Sequence, residues 1–439
     1  RMDEAQILSV AAGEYGLIWL DFDSSKVAAG TYKGFLRIIP LSEPVTVKNI
    51  PGSDKVYEGS IRTIPLALEI LTIDLPLEPD KPLWAMSFAQ NEDYFNCYNA
   101  LGGRMIDINP WWLKAKFSRD GLIVERDYKY AEEVVSNSME WIRKNNLKKG
   151  PFFALAFQAY PVFDTVYAKG ANLKYGTPEW TVAWGNWLDD FRNIMKKYWF
   201  SSKDYVVEIQ DEPSLKDYEK LATICKLTKE HDRQIQTMVT FAAFSFEHGL
   251  KGARSLVDDC DVWVVWGPHF SNPEYLDFCK EIHGKGKRIW NYVCNTSMRE
   301  SLHRYYRLLP WLGWYYGHEA NALYTFISSP DGINGERDWR CASKGGIVYA
   351  TSEVCVPSIR YECLKMGSTD IKYLSVLKEL VEKASKVENC RTLAEEAGKF
   401  LAKCGKEVMI DRRHDEKSPD ETRNKVITSI LRLQKALGE

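Results

Sequence analysis

Two carboxylates stand side by side in 208-EIQDEPS-214: Asp211 and Glu212, with a proline directly after them. The run follows the apolar Tyr205-Val206-Val207 and opens a helical pattern. Acidic residues suit the first turn of a helix, where the macrodipole is positive, and proline suits the first helical position. Helix capping therefore accounts for the run taken alone. Chemistry offers a second account. Repulsion between two close carboxylates, together with burial, raises one pKa until that group can act as an acid near neutrality. Glycoside hydrolysis needs such an acid to protonate the leaving oxygen, and ordinary retaining enzymes take their nucleophile from across the sugar. A directly adjacent pair suits another arrangement. There the substrate's own 2-acetamido oxygen attacks the anomeric carbon; one carboxylate holds the acetamido nitrogen, and the other serves as acid and then base.

The elements around the pair say where it stands. Short apolar runs at 83–88, 104–108, 152–157, 205–209, 235–240, 262–266, 288–293 and 322–327 alternate with helical patterns such as Tyr130 to Asn145 and Glu179 to Tyr198. A third helix is expected from Pro213 or Ser214. Eight strands, mostly followed by helices, predict a (β/α)8 TIM barrel over 83–388. A doubly wound sheet is the alternative, but no GxGxxG follows a strand. Residues 1–78 read as short strands separated by turn clusters and predict a small β-sandwich. The proline-rich 74-DLPLEPDKP-82 is the connector. Residues 389–439 predict a helical extension packed on the barrel, with polar 406–423 as a solvated face plus loop. The Asp-Glu pair falls at the C-terminal end of the fourth strand, where barrel enzymes keep their catalytic groups. Neighbours in a regular strand point to opposite faces, so both acids reach one pocket only if the strand ends at the pair. Pro213 promotes this by holding Glu212 off helical angles.

Composition narrows the partners. Of 439 residues, 45% are hydrophobic and 27% charged, with a net charge of −2, which points away from nucleic acid and acidic lipid. No apolar run reaches the roughly 18 residues of a membrane helix. Ten cysteines form no CxxC pair, and seven histidines form no HExxH, so neither metal nor cofactor is expected. The cysteines read as buried thiols, with a Cys390–Cys404 bridge open if the protein is exported. Fifteen Trp and 23 Tyr are many. Most belong in a core, although an aromatic face also packs well against a pyranose.

The stretch 357-PSIRYECLKMG-367 with Asp370 and 373-YL-374 resembles the closing segment of the glycoside hydrolase family 123 catalytic domain. The run 290-WNYVC-294 is similar to that family's seventh strand, 317-GHEANALYTF-326 to its eighth, 211-DEP-213 to its Asp-Glu-Pro run, and 28-AAGTYKGFLRI-38 to a strand of its N-terminal sandwich. Known members are exo-acting β-N-acetylgalactosaminidases. The resemblance implies a retaining exo-glycosidase with a glycan substrate, Glu212 as general acid/base, Asp211 orienting the acetamide, and Tyr292 donating to the acetamido oxygen. Trp314, Trp290 and Trp266 are expected pocket walls. Asn91, Gln158, Tyr160 and His269 follow predicted strands at the same rim and are expected to bind hydroxyls. Two departures stand out: Thr325 where relatives often carry Trp, and 367-GSTD-370 for an acidic Gly-Ile-Glu-Asp piece. Two other readings stay open: the same fold with a different sugar and an external carboxylate nucleophile, and a non-catalytic glycan-binding protein. An extracellular or cell-surface location is expected, because polymeric glycans lie outside cells, with a cytoplasmic one as the alternative.

Overall fold

The computed structural model describes residues 19, 20, 22, 24, 26–38, 62–76, 81–85, 92–148, 150–241, 246–294, 300–327, 346–350 and 355–438. Two compact units divide the chain, Arg1–Asp74 and Leu75–Glu439. In the first, β1 (Gly30–Ile38) and β2 (Arg62–Ile70) pair antiparallel, from Gly30↔Ile70 to Ile38↔Arg62. Among the described residues this hairpin is the unit's one sheet, standing where a sandwich was expected. Of the short apolar runs that suggested the sandwich, 17-LIWLD-21 lies mostly outside them.

The strands of the second unit are β3 (Leu83–Ala85), β4 (Ile106–Ile108), β5 (Lys114–Phe117), β6 (Ile123–Asp127), β7 (Phe153–Leu155), β8 (Tyr205–Asp211), β9 (Thr237–Phe241), β10 (Val262–Trp266), β11 (Arg288–Val293), β12 (Ala320–Leu323), β13 (Val348–Ala350) and β14 (Cys355–Pro357). Eight of them form one sheet in the order β3-β12-β11-β10-β9-β8-β7-β4. A parallel bridge from Leu83 to Gly103 leads β3 back towards β4, so the sheet is a nearly closed parallel barrel. Its helices are α1 (Glu92–Ala100), α2 (Lys129–Lys144), α3 (Ala159–Val162), α4 (Pro178–Lys197), α5 (Tyr218–His231), α6 (Phe246–Arg254), α7 (Pro273–Gly284), α8 (Leu308–Tyr316) and α9 (Ile359–Ala384), followed by α10 (Arg391–Lys406) and α11 (Ser418–Leu437).

Barrel strands are covered on both faces and therefore read as continuous apolar runs. One set of their side chains, including Trp84, Met105, Val206, Met238, Val264 and Trp290, fills the barrel interior. The other set packs outward under the helices. The aromatic surplus is largely spent in that outer layer. On α4, Trp180, Trp184 and Trp187 are fully buried. Their indole N–H groups donate to Asp164 (2.9 Å), Thr228 (3.0 Å) and the Leu113 carbonyl (2.9 Å), as buried indoles require.

Three local expectations change. A hairpin of β5 and β6 is inserted between β4 and α2, with only Ala115 and Phe117 of β5 buried; two inward side chains are too weak a period to read. The third helix starts later than expected. Ser214 and Asp217 close a capping box around a single 3-10 turn, and α5 begins at Tyr218. The polar stretch near 420 is tied into the protein. Fully buried Asp370 of α9 accepts from Arg307 (3.3 Å), Arg423 (2.9 Å) and the Trp311 indole (3.0 Å), and Asp420 accepts from both arginines (2.7 and 2.8 Å). Cys390 and Cys404 are both buried free thiols, not a bridge.

Candidate active site

β8 carries the acids into the barrel by a device the alternation rule does not anticipate. Val206 and Glu208 face the interior, with Glu208 level with Met238 of β9. Pairing then slips between Glu208 and Gln210, so one residue is extra. Gln210 comes level with the outward-facing Val239, and Asp211 with Thr240. The bulge thereby turns Asp211 inward. Glu212 follows in a left-handed conformation, φ 41°, with its N–H donating to the Thr240 carbonyl at 3.0 Å. The strand ends at the pair, with Asp211 its last residue, and a bulge plus one left-handed residue bring both acids to the C-terminal mouth.

The surroundings of the three carboxyls differ. Glu208 is deepest, 1% exposed. Its Oε2 accepts the Phe157 backbone N–H at 2.6 Å and its Oε1 accepts the Thr240 hydroxyl. Burial pushes it up to about 7 against those donors. Asp211 is half-buried, and burial, then the neighbouring Glu208 and Glu212, push it up to about 8. Glu212 is exposed at the mouth. Its Oε1 accepts the hydroxyl of Tyr292, which reaches across from β11. Burial, then the Glu212 carboxylate, hold the Tyr292 hydroxyl firmly protonated. The arrangement offers a carboxyl open to solvent with one oxygen fixed, beside a deeper carboxyl that binds a proton or a cationic group.

The other expected site residues scatter. Asn91 lies outside the described residues. Gln158 is exposed at the start of α3, directly after β7, with φ 70°. Trp266 ends β10, half-buried, and lines a groove of about 370 Å³ with Phe270, Tyr305, Leu312 and Tyr316. The rest sit elsewhere for packing reasons. Trp290 is inside the barrel but low. It meets Trp84 edge-on at 6.0 Å and borders a small cavity with Gly150, Pro151 and Arg288, at the strands' N-terminal ends. Trp314 of α8 lies against Gly405 of α10, in the helical layer. Tyr160 is buried among α3, α4 and α5, its hydroxyl donating to Asp164 at 3.2 Å and its ring under the Lys220 ammonium at 4.8 Å. His269 stacks on Tyr275 at 4.3 Å, and burial takes it down to about 4. Sequence reasoning passed over Glu208, Thr240 and Cys294, which is half-buried and feels the charge of both Glu212 and Asp211. A signal for Glu208 was present: an acid inside the apolar run YVVEI must be buried with partners.

The family model for the glycoside hydrolase 123 catalytic domain matches residues 152–377, slightly more than half of the chain. The chain belongs to this family. The match begins at β7 and takes in Glu208, Asp211, Glu212 and Tyr292, so the chain carries a glycosidase domain around these carboxyls. No curated protein matches it significantly. Among solved structures it is similar to an endo-1,4-beta-mannanase from Rhizomucor miehei (11% identity, TM-score 0.45, covering 69% of this chain and 96% of that one). It is also similar to a sugar phosphate isomerase/epimerase from Parabacteroides distasonis (10%, 0.37, 67% and 98%) and a glycoside hydrolase family 5 mannosidase from Rhizomucor miehei (9%, 0.36, 68% and 94%). The barrel is read from its strand order, not from these likenesses.

Proposed function

We propose that the protein is a retaining exo-glycosidase that releases terminal β-linked 2-acetamido sugars, N-acetylgalactosamine-like, by substrate-assisted catalysis. The observation that carries this reading is the presence of Asp211 and Glu212 together at the barrel mouth, electrostatically in contact, with Tyr292 fixing one oxygen of Glu212. Glu212 is the more open of the two acids and faces where a leaving group departs. It gives its proton to the glycosidic oxygen as the C1–O bond breaks. The acetamido carbonyl oxygen closes on C1, and positive charge spreads onto the acetamido nitrogen. Asp211, deeper and on the same wall, accepts the acetamido N–H. Asp211 does this in its ionised form, whose negative charge offsets the growing positive one. Water then attacks C1 as the bond from C1 to the acetamido oxygen breaks, giving its proton to Glu212, and the sugar leaves with its original configuration.

The test is turnover of an aryl 2-acetamido-2-deoxy-β-galactoside. Glu212→Gln is expected to lower kcat by about 10²- to 10⁴-fold, the range for a lost general acid/base, and an acetamido-thiazoline is expected to inhibit competitively. Undiminished turnover in Glu212→Gln removes the assignment. Turnover only of sugars lacking the acetamido group moves the reading to an external nucleophile.

A further inference from the structure

Phe157 and Gln158 follow β7 with φ of 67° and 70°. Two consecutive non-glycine residues in the left-handed region are rare, and each carries a strain of roughly 1–3 kcal/mol that its surroundings must over-determine. The surroundings here are Glu208. Its carboxylate takes the Phe157 N–H at 2.6 Å, and the Gln158 N–H faces the same carboxylate. Successive backbone N–H groups of this kind form a cradle for an anion. On its other side Glu208 is held by the Thr240 hydroxyl, and Thr240 is the residue level with Asp211. One buried acid thus touches the turn that delivers Gln158 to the mouth and the strand position that steadies Asp211.

We propose that Glu208 is a positioning residue of the site: it locks the left-handed Phe157–Gln158 turn and, from the same inward face of β8, bears on the charge with which Asp211 meets a substrate. This rests on the reading of Asp211 and Glu212 as the working pair. The groups facing Glu208 are Asp107 from β4, Thr240 from β9, the β7 backbone, and Asp211 on its own strand. Glu212, Tyr292 and Cys294 act in turn on Asp211 or interact with it. Two close carboxyls titrate as a pair. With the first proton lost, the negative charge of either keeps the other protonated to higher pH.

Glu208→Gln separates the two roles. Its amide oxygen still accepts the Phe157 N–H, and the Thr240 hydroxyl rotates to accept from the amide, but the charge is gone. In the full chain, the Asp211 carboxyl titration followed by ¹³C NMR is expected to move down by about one pH unit, as loss of a like charge requires. The acid limb of kcat/KM on the aryl 2-acetamido galactoside moves down with it, while KM stays within about twofold. Glu208→Ala, which also frees the turn, is expected to raise KM by about tenfold. An unmoved Asp211 titration overturns the proposal. Should Glu208→Gln not fold, Asp211→Asn decides by reciprocity: the Glu208 titration must fall by a similar amount, and its constancy overturns the proposal. A chain that turns over no 2-acetamido glycoside sinks the functional reading, and the titration still decides this one. A chain inactivated by Glu212→Gln, with Asp211 unmoved in Glu208→Gln, sinks this inference alone.

Discussion

Replacing Tyr292 by Phe removes one oxygen and little else. The Tyr292 ring is 2% exposed and packs in the barrel interior with Trp290 and Val264, so Phe occupies the same space and leaves that packing intact. What is lost is the hydroxyl that donates to Glu212 Oε1. In the second step, where Glu212 acts as base, it is a carboxylate, and a hydrogen bond to a charged group contributes about 1.5–3 kcal/mol. Glu212 lies at the open mouth, where water substitutes in part, which favours the lower half of that range. If the bond fixes Glu212 for proton transfer, 1.5–3 kcal/mol in the barrier is about 10- to 100-fold in kcat/KM. The expected result with an aryl 2-acetamido galactoside is a loss of about tenfold, mostly in kcat. Thermal unfolding is expected to stay within about 1 kcal/mol of the parent, because the exposed Glu212 carboxylate is resolvated. Activity within twofold of the parent would refute the view that Tyr292 orients the acid. A large fall in melting temperature with a proportionate loss of activity would make Tyr292 a packing residue.

Asp370→Ala is expected to destabilise the fold by about 1.5–3 kcal/mol, because buried Arg307 loses one of its two carboxylate partners and keeps Asp420; urea unfolding measures this, and a change under about 0.5 kcal/mol refutes it. Glu208 and Asp211 both sit above the unfolded carboxylate range, near 7 and 8. The stability they contribute is therefore fully present below about pH 4 and is lost as pH rises through 7 and 8, with a limiting slope of about 1.4 kcal/mol per pH unit for each net proton. Urea midpoints of the parent between pH 6 and 8.5 should fall accordingly. Glu208→Gln should flatten that fall, and an identical slope in the two proteins refutes the assignment.

All eight barrel strands were legible because burial on both faces writes continuous apolar runs such as 262-VWVVW-266 into the chain. The acid pair was legible for the same reason: it closes one of those runs. Depth was not. Trp290 and Tyr292 share an inward face, yet only Tyr292 is high enough to meet Glu212. Nor was the bulge of β8 legible, since an extra residue in a strand has no compositional mark when it is an ordinary Ile209. Trp314 read as a sugar platform because its partner, Gly405, lies on a helix ninety residues away. The polar stretch near 420 read as solvated because the buried carboxylate that Arg423 serves, Asp370, is distant in sequence.

The tryptophan floor has a consequence for traffic. With Trp84, Trp290, Met105 and Met238 filling the bore, nothing passes through the barrel, and a substrate reaches Asp211 and Glu212 from the C-terminal mouth. Everything that enters by the rim must also exit by it. Under the proposed mechanism, the severed aglycone and the freed sugar therefore both leave by that same mouth.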